Sequence, residues 1–378
     1  MPVGAPAEGA GKAEPPRGQA APHRVAFADA LRGPAALLVL LSHHLSLYWH
    51  AQPFAAGMTG QPDAFRAPPA WTDAFATLVF GPIRAGPLGV ALFFLISGYV
   101  IPFALRDRGA GAFLAARAAR LLPTYWAGYA LQAAVVAALA TTFPRTAAEM
   151  LANLLPGAQG LSGLTTFDGI VWTLNVEVLF YLCAAAIAPA LRGGSVAWLA
   201  MPAGAGLLAL ALTTRNDPEG LMNLSLAATM IVFLSIGTAL YLAERYDRWA
   251  RVAPWLIAAL LAAFSVLAGL WPPGGLLPEV PSYLLAAVLF LGAFLARRRL
   301  RVGPVLSRLA AISYPLYVVH GVSGFAIMGA TIRAGWPPAA ALALALLWSF
   351  GAALALHRLV ERPTRRWASR LGRPVSAG

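Results

Sequence analysis

Apolar residues dominate the chain in ten long stretches separated by short polar or arginine-rich segments. A transmembrane helix needs about 20 mostly apolar residues. Ten stretches come close to this length: residues 31–49, 86–105, 121–142, 169–191, 195–213, 222–243, 252–271, 280–296, 309–332 and 337–357. The pattern predicts an all-α protein, a polytopic membrane helical bundle of about ten transmembrane helices. Because the eighth stretch is short and the ninth is long, nine or eleven helices remain open.

Composition favours a lipid bilayer over water as the surrounding medium. The chain of 378 residues is 59% hydrophobic and 11% charged, whereas soluble domains carry about 25% charged residues. A single domain of this length cannot bury so much apolar surface, so lipid must cover part of it. Cys183 is the only cysteine, which excludes an intrachain disulfide and a cysteine metal site.

Basic residues are distributed unevenly between the loops. With the N-terminus inside, 22 of the 28 Lys and Arg residues fall in inside segments, five fall outside, and Arg32 lies at the mouth of the first span. Positive charge concentrates on the cytosolic side of membrane proteins, so both termini are predicted to be cytosolic. The arginines flank apolar spans and do not form one soluble face, and nucleic acid is therefore not an expected partner.

The chain divides into a membrane-embedded domain with two tails. Residues 1–23 are rich in Ala, Pro and Gly and are predicted to be a disordered cytosolic tail. Residues 24–367 are the membrane-embedded domain, and residues 368–378 are a short cytosolic tail. Two long outside segments, about 50–85 and 143–168, are rich in Gly, Pro and aromatic residues. They shape an external acceptor site or serve as plain connectors, and the sequence leaves both alternatives open.

Titratable side chains inside a bilayer are costly and are therefore functional candidates. The first span carries Arg32 and His43, eleven positions apart. Eleven steps of 100° come within about 20° of three full turns, which places both side chains on one helix face, roughly 16 Å apart along the axis. Arg32 alone is typical of an anchor whose charge reaches water at the inner surface. His43 lies in the outer half, where the cost of burial favours a functional role over a structural one.

The fourth span carries a carboxylate, Glu177, about eight residues from its outer end. Thr173, Glu177 and Tyr181 follow an i, i+4, i+8 spacing and share a helix face. Glu177 and His43 fall at similar depths, and we predict that they form a pair in which the carboxylate orients the imidazole. The alternative is that Glu177 only forms hydrogen bonds to neighbouring helices.

The ninth span carries a second intramembrane histidine. Ser313, Tyr317 and His320 share one helix face. Pro315 lacks an N–H and is predicted to bend this helix. The position of His320 is equally compatible with a functional role and with a polar contact inside the bundle.

Arginines also gather at the inner ends of the second and third spans. Arg106, Arg117 and Arg120, together with Arg32, form a basic ring on the predicted cytosolic face. Guanidinium groups bind phosphate bidentately, so the ring suits an anionic ligand that carries phosphates, although the positive-inside rule alone explains most such arginines. Ser97 in the second span is not part of a GxSxG motif, so a serine-hydrolase triad is not supported.

Six sequence segments occur in order along the chain: FADALRGPAALLVLLSHH, GPLGVALFFLISGYVI, FLAARAARLLPTYW, VWTLNVEVLFY, ISYPLYVVH and ERPTRRW. Together they resemble the acyltransferase-3 family of integral membrane acyltransferases, which includes the O-acetyltransferases of bacterial surface polysaccharides. Each segment alone is a weak signal, and the six in order are a specific one.

The family motifs can be placed residue by residue. In chain order the matching residues are Arg32 and His43, then Phe93, Phe94, Ser97 and Gly98, then Arg117, Arg120, Pro123 and Tyr125, then Trp172, Glu177, Phe180 and Tyr181, then Ser313, Tyr314, Tyr317 and His320, and finally Glu361 and Pro363. Two positions depart from the family pattern. Thr173 stands where serine is usual, and Pro34 stands where an aliphatic residue is commoner.

The resemblance implies a specific activity. Residues 24–367 would be an acyltransferase domain that moves an acyl group, expected to be acetyl, from cytosolic acyl-CoA (acetyl-CoA) to a sugar hydroxyl of a cell-envelope or exported glycan. The acceptor would be a glycan or a lipid-linked saccharide, and the location would be the bacterial inner (cytoplasmic) membrane. Neither a tightly bound cofactor nor a metal is expected.

The resemblance also assigns roles to the candidate residues. His43 is the expected general base, with Glu177 and Arg32 as further catalytic residues. The residues expected to bind the donor are Arg32, Arg117, Arg120, Ser97 and Tyr125. A further polar site within the bundle comprises His320, Tyr317, Ser313, Trp172 and Thr173. Direct transfer and transfer through a covalent enzyme intermediate both remain open.

Other classes of membrane protein would also place His, Glu and Arg inside a bundle. A transporter or flippase of a glycan or lipid-linked precursor would do so without acyl-transfer chemistry. It predicts paired internal repeats, and the sequence shows none. A membrane sensor or scaffold would not need His43 or Glu177.

Overall fold

The computed structural model describes residues 23–106, 108–213, 219–272 and 275–371. Within these ranges the regular elements are helices and no strand occurs, which confirms the predicted all-α class. The predicted tail 1–23 lies outside the described residues except for its last residue. Most of the predicted tail 368–378 lies outside them too.

Twelve longer helices build the bundle in the described part of the chain. They are α1 (His23–Leu41), α2 (Ala85–Arg106), α3 (Ala110–Leu139), α4 (Val171–Ala186), α5 (Ala200–Thr213), α6 (Glu219–Arg245), α7 (Asp247–Gly269), α8 (Val280–Ala296), α9 (Pro304–Val319), α10 (Val322–Arg333), α11 (Pro338–Leu356) and α12 (Arg362–Leu371). Shorter helical segments connect them: Ser42–Leu47, Tyr48–His50, Gln52–Thr59, Ala70–Phe75, Thr77–Phe80, Ala147–Ala152, Gln159–Ser162, Ala188–Gly193, Val196–Leu199, Leu277–Glu279 and His357–Glu361.

Several of these helices are long and apolar enough to cross a membrane. Among the described residues seven helical segments meet this condition, and the bent pair α9–α10 raises the number to eight. The protein is therefore a multi-pass membrane protein, as predicted. Helices α3 and α4, at the third and fourth predicted spans, are not among the seven. Helix α4 has only 16 residues, and α3 carries Arg117, Arg120 and Gln132. The count of ten and the cytosolic termini stay predictions.

Helix α6 forms the centre of the bundle. In its most apolar segment 89% of the residues are buried inside the protein, and it packs against α2, α5 and α7. At α2 the two backbones touch. A Cβ on Gly98 would lie 1.9 Å from the carbonyl oxygen of Leu234, and a Cβ on Gly237 would lie 2.3 Å from that of Leu95. Small residues allow this approach, which fixes the position of α2 and its Ser97.

The ninth predicted span consists of two helices. Helix α9 ends at Val319 and α10 begins at Val322, with a bend of 67° between them. Helix α9 continues through Pro315, where the bend was predicted, and loses one backbone hydrogen bond there. The break lies at Gly321, whose φ of −62° and ψ of −108° are not helical. A Cβ on Gly321 would lie 2.5 Å from Oδ1 of Asp168, so a larger residue there would displace the Asp168 side chain.

The first predicted span changes its helix type near its outer end. Helix α1 is followed by a π-helical segment, Ser42–Leu47, which contains His43 and His44. A π turn contains more residues than an α turn, so it rotates the side chains that follow, and such turns are frequent at functional sites. The rotation of 100° per residue that was assumed between Arg32 and His43 therefore does not apply within the π-helical segment.

The contact between α2 and α6 predicts a sharp difference between two glycine substitutions. Gly237→Ala forces a methyl group into the α2 backbone and should lower the free energy of unfolding by about 1–3 kcal/mol. Gly292→Ala, on α8, meets no atom within 4 Å and should not lower it. Thermal unfolding of both variants in the same detergent measures this. Equal midpoints for the two variants would contradict the close packing.

Candidate functional site

A cavity of about 280 Å³ lies between α1, α2, α3, α4 and α9 and is bordered by the start of α12. It brings together residues that are far apart in sequence. Eight of the predicted site residues line it: Arg32, Ser97, Arg117, Arg120, Thr173, Glu177, Ser313 and Tyr317. The shared face predicted for Thr173, Glu177 and Tyr181 is confirmed, because all three side chains line this cavity.

Arginines give one part of the cavity a positive charge. Arg32, Arg117, Arg120 and Arg365 all line it, and the charge of Arg120 repels those of the other three. Converging like charges raise the free energy of an empty site, and an anion bound between them removes this cost. Arg106, the fourth member of the predicted basic ring, is not in the lining. The site is therefore suited to an anion such as phosphate.

Carboxylates on the same helices hold two of these arginines. Asp29 lies one turn before Arg32, with 3.6 Å between its Oδ1 and Nη1 of the guanidinium. Glu361 lies one turn before Arg365, with 3.6 Å between Oε1 and Nη1. The other oxygen of Glu361 lies 2.6 Å from Nδ1 of His357. These pairs orient the guanidinium groups and leave part of their hydrogen-bonding capacity for a ligand.

Glu177 organises the middle of the cavity. Ser97 donates a hydrogen bond of 2.5 Å to its Oε1, and Tyr181 donates one of 3.0 Å to its Oε2. The ring of Tyr181 in turn lies 5.6 Å from the guanidinium carbon of Arg117, within the range of a cation–π contact. Glu177 therefore fixes a serine, a tyrosine and, through the tyrosine, an arginine.

His43 pairs with His320 and not with Glu177. Its Nδ1 lies 3.0 Å from Nε2 of His320, and the two rings stack with centroids 5.0 Å apart. Both oxygens of Glu177 are already engaged by Ser97 and Tyr181. The predicted pair of His43 and Glu177 is therefore wrong. His43 is half-buried, whereas His320 is 1% exposed.

The hydrogen bonds of His320 determine which nitrogen of each ring carries a proton. Its Nδ1 lies 3.0 Å from the carbonyl oxygen of Leu316 and 3.0 Å from that of Tyr317. Carbonyl oxygens only accept, so this nitrogen must carry the proton. In a neutral ring Nε2 of His320 is then an acceptor, and Nδ1 of His43 must donate to it. This assignment leaves Nε2 of His43 unprotonated, with a lone pair that can accept a proton.

Two aromatic residues separate the histidine pair from the cavity. Tyr317 lines the cavity, and its ring lies 5.9 Å from that of His320 and 5.8 Å from that of Phe93. Its hydroxyl is 2.8 Å from Oγ1 of Thr173. His43 is not in the lining. His43 is therefore separated from the cavity in this structure.

Two further predicted residues lie outside the cavity. Tyr125 is buried and donates a 2.5 Å hydrogen bond to the carbonyl oxygen of Asn153. It follows Arg120 by five residues, which rotates it about 140° around the helix axis, and its predicted donor contact is not supported. Trp172 packs edge-on against Phe94 with 6.0 Å between the ring centroids.

Sequence reasoning missed several polar residues at or near the site. Asp29 and Arg365 line the cavity, and their one-turn spacings to Arg32 and Glu361 were the available signal. Glu361 also lines it and was named only as part of a family motif. Gln132 and Asp168 form a buried hydrogen bond of 2.5 Å. The signal for Gln132 was its position as a polar amide within the third apolar stretch. Asp168 was counted with an outside loop.

The fold and the site together indicate a class of protein. A helical membrane bundle encloses an anion-suited cavity, and beside it stands an imidazole with a free lone pair, an arrangement typical of an enzyme that transfers a group from an anionic donor.

The chain belongs to the acyltransferase-3 family, since the family's model, described as an acyltransferase domain, matches residues 25–358. The protein is therefore an acyltransferase, and the predicted transporter or flippase alternative is set aside. The chain is similar to the exopolysaccharide production protein ExoZ of Rhizobium meliloti (strain 1021). The two are 30% identical over 319 residues, which cover 78% of this chain and 93% of that protein. No solved structure matches the chain.

The hydrogen-bond geometry predicts the tautomers of the two paired histidines. Nitrogen-15 NMR of histidine-labelled protein at neutral pH should show His43 and His320 both protonated at Nδ1 and unprotonated at Nε2. Single His→Gln variants at each position assign the signals. In a neutral His43, a proton on Nε2 would contradict the arrangement, because Nδ1 would then have no proton to donate to His320.

Proposed function

We propose that this acyltransferase moves an acyl group, specifically acetyl, from cytosolic acyl-CoA to a sugar hydroxyl of a cell-envelope or exported glycan. The name of the relative ExoZ refers to exopolysaccharide production, which supports a glycan or a lipid-linked saccharide as the acceptor. The predominance of arginine at predicted inside segments supports cytosolic termini and an even number of spans, such as ten. The similarity to a bacterial protein supports the inner membrane of a bacterium as the location.

A single observation carries this proposal: four arginines line a cavity that is also lined by Tyr317, whose ring lies 5.9 Å from that of His320. Acyl-CoA has a matching distribution of groups, with phosphates at one end and a thioester at the other. Arg32, Arg117 and Arg120 bind the phosphates in this proposal. The thioester then points toward Tyr317 and the two histidines.

The reaction follows from the free lone pair of His43. The acceptor hydroxyl gives its proton to Nε2 of His43, and its oxygen attacks the carbonyl carbon of the thioester. The bond between this carbon and sulfur breaks, and the sulfur leaves as a thiol with the proton that His43 held. The products are an ester and free CoA. General base catalysis of this kind contributes about 10²–10⁴ in rate.

In this proposal two residues have roles that differ from those expected from the sequence. His320 takes over the orienting role that was predicted for Glu177, since its Nε2 faces Nδ1 of His43 at 3.0 Å. Glu177 instead holds Ser97 and Tyr181 and balances part of the arginine charge. Tyr317 and Phe93 must move aside for the thioester to reach His43, so donor binding and opening of the passage are coupled.

Purified protein incubated with labelled acetyl-CoA and a candidate glycan tests the function. Label should appear on the glycan with the wild type, and His43→Ala should lower its transfer at least about 100-fold. His50→Ala, a histidine outside the pair and the cavity, serves as the matched control and should transfer at the wild-type rate. Undiminished transfer by His43→Ala would refute the role of His43 as general base.

If the cavity arginines bind the phosphates of acetyl-CoA, their removal should weaken the binding of this donor. Arg32→Ala combined with Arg120→Ala should raise the dissociation constant of acetyl-CoA at least about 10-fold, because each lost guanidinium–phosphate bond is charge-assisted. Equilibrium binding with labelled acetyl-CoA measures this constant. The exposed Arg251 provides the control Arg251→Ala, which should leave it unchanged. Equal affinities for all three proteins would exclude the cavity as the phosphate site.

A further inference from the structure

The break between α9 and α10 leaves backbone groups that the helices cannot satisfy themselves. Such groups cost several kcal/mol each inside a bilayer unless the protein provides partners. On the carbonyl side, the oxygen of Tyr317 lies 3.0 Å from Nδ1 of His320, and that of Val319 accepts a 2.6 Å hydrogen bond from the hydroxyl of Ser323. The break thus creates the carbonyl that fixes the His320 ring.

Two further groups of the break are bound by one side chain from α3. Gln132 is buried, and its Nε2 donates a 2.7 Å hydrogen bond to the carbonyl oxygen of Val318. Its Oε1 accepts one of 3.3 Å from the backbone N–H of Ser323. One amide therefore bridges the last turn of α9 and the first turn of α10.

A carboxylate completes the contact from the other side. Asp168 is buried and accepts a 2.5 Å hydrogen bond from Nε2 of Gln132. It also accepts hydrogen bonds from the backbone N–H groups of Ile170, at 3.2 Å, and of Val322. Asp168 has only donors around it and packs against Gly321, so it ties the break to the start of α4.

We propose that Asp168 and Gln132 are positioning residues for acyl transfer, because they hold the helix break that fixes His320 and, through it, His43. Neither residue lines the cavity, so neither contacts the bound donor. Their effect passes through the backbone at Gly321 to the His320 ring and its Nδ1 proton. This inference rests on the proposed role of His43 as the base.

Two variants remove the contact in different ways. Gln132→Met keeps the length of the side chain and removes its three hydrogen bonds. Asp168→Asn keeps the shape of the side chain, but its amide nitrogen meets an N–H donor in either orientation. If one variant fails to fold, the other still tests the proposal.

The chain offers a matched control. Gln61 is also a buried glutamine that connects α3 with α10, through hydrogen bonds of 3.0 Å to the carbonyl oxygen of Leu139 and 3.1 Å to that of Ala326. It lies beyond the break and contacts neither helix end at Gly321. Gln61→Met therefore removes a comparable connection without touching the break.

Steady-state kinetics and nitrogen-15 NMR of labelled histidine test the proposal together. Gln132→Met and Asp168→Asn should lower kcat about 10- to 100-fold, as expected for small misplacement of a catalytic group, with an unchanged dissociation constant for acetyl-CoA. The His320 signals should shift toward a mixture of tautomers. Gln61→Met should lower the unfolding midpoint to a similar extent and keep kcat within about twofold of wild type.

Several results would overturn the proposal. Wild-type kcat in both break variants would do so, as would an equal loss of kcat in Gln61→Met, or unchanged His320 signals in a variant with lowered kcat. The proposed function fails separately. If His43→Gln transfers acetyl at the wild-type rate, the base is wrong whatever the break variants do. If His43→Gln is inactive and the break variants are fully active, only this inference fails.

Discussion

Inside a bilayer each backbone N–H and C=O group must find its partner within the protein, because lipid offers none. This constraint is hardest to satisfy where a helix breaks, and α9 and α10 break at Gly321. The orphaned groups are satisfied by His320, Gln132, Asp168 and Ser323. One of these four is an imidazole, and the same bond that satisfies a carbonyl also sets the proton position of that ring.

A second constraint places the arginines and the histidine pair in different parts of the protein. The free-energy cost of placing an arginine in a membrane protein is lowest near an aqueous surface, where its charge stays hydrated. The arginines lie together at one part of the cavity, with Asp29 and Glu361 beside them. The histidine pair stands beyond Phe93 and Tyr317. A ligand with a charged end and a reactive neutral end fits this division.

The sequence predicted the fold class and much of the lining, since apolar runs, arginine asymmetry and one-turn spacings are local signals. It could not predict the partner of His43. Equal depth in the membrane does not determine which faces of two helices meet, and the α projection did not include the π segment Ser42–Leu47 that contains His43. A bend was predicted at Pro315, whereas the break at Gly321 could not be predicted, because the close contact of this glycine with Asp168 joins residues far apart in sequence. Tyr125 was assigned to the donor by its motif, although its helix turns it toward Asn153.

A structure of the protein in lipid nanodiscs with a non-hydrolysable acetyl-CoA analogue tests the central claim most directly. The account predicts phosphates against Arg32, Arg117 and Arg120, with Tyr317 displaced and the carbonyl of the analogue next to Nε2 of His43. An analogue bound outside this cavity, or one whose acyl end remains separated from His43 by Tyr317, would contradict it.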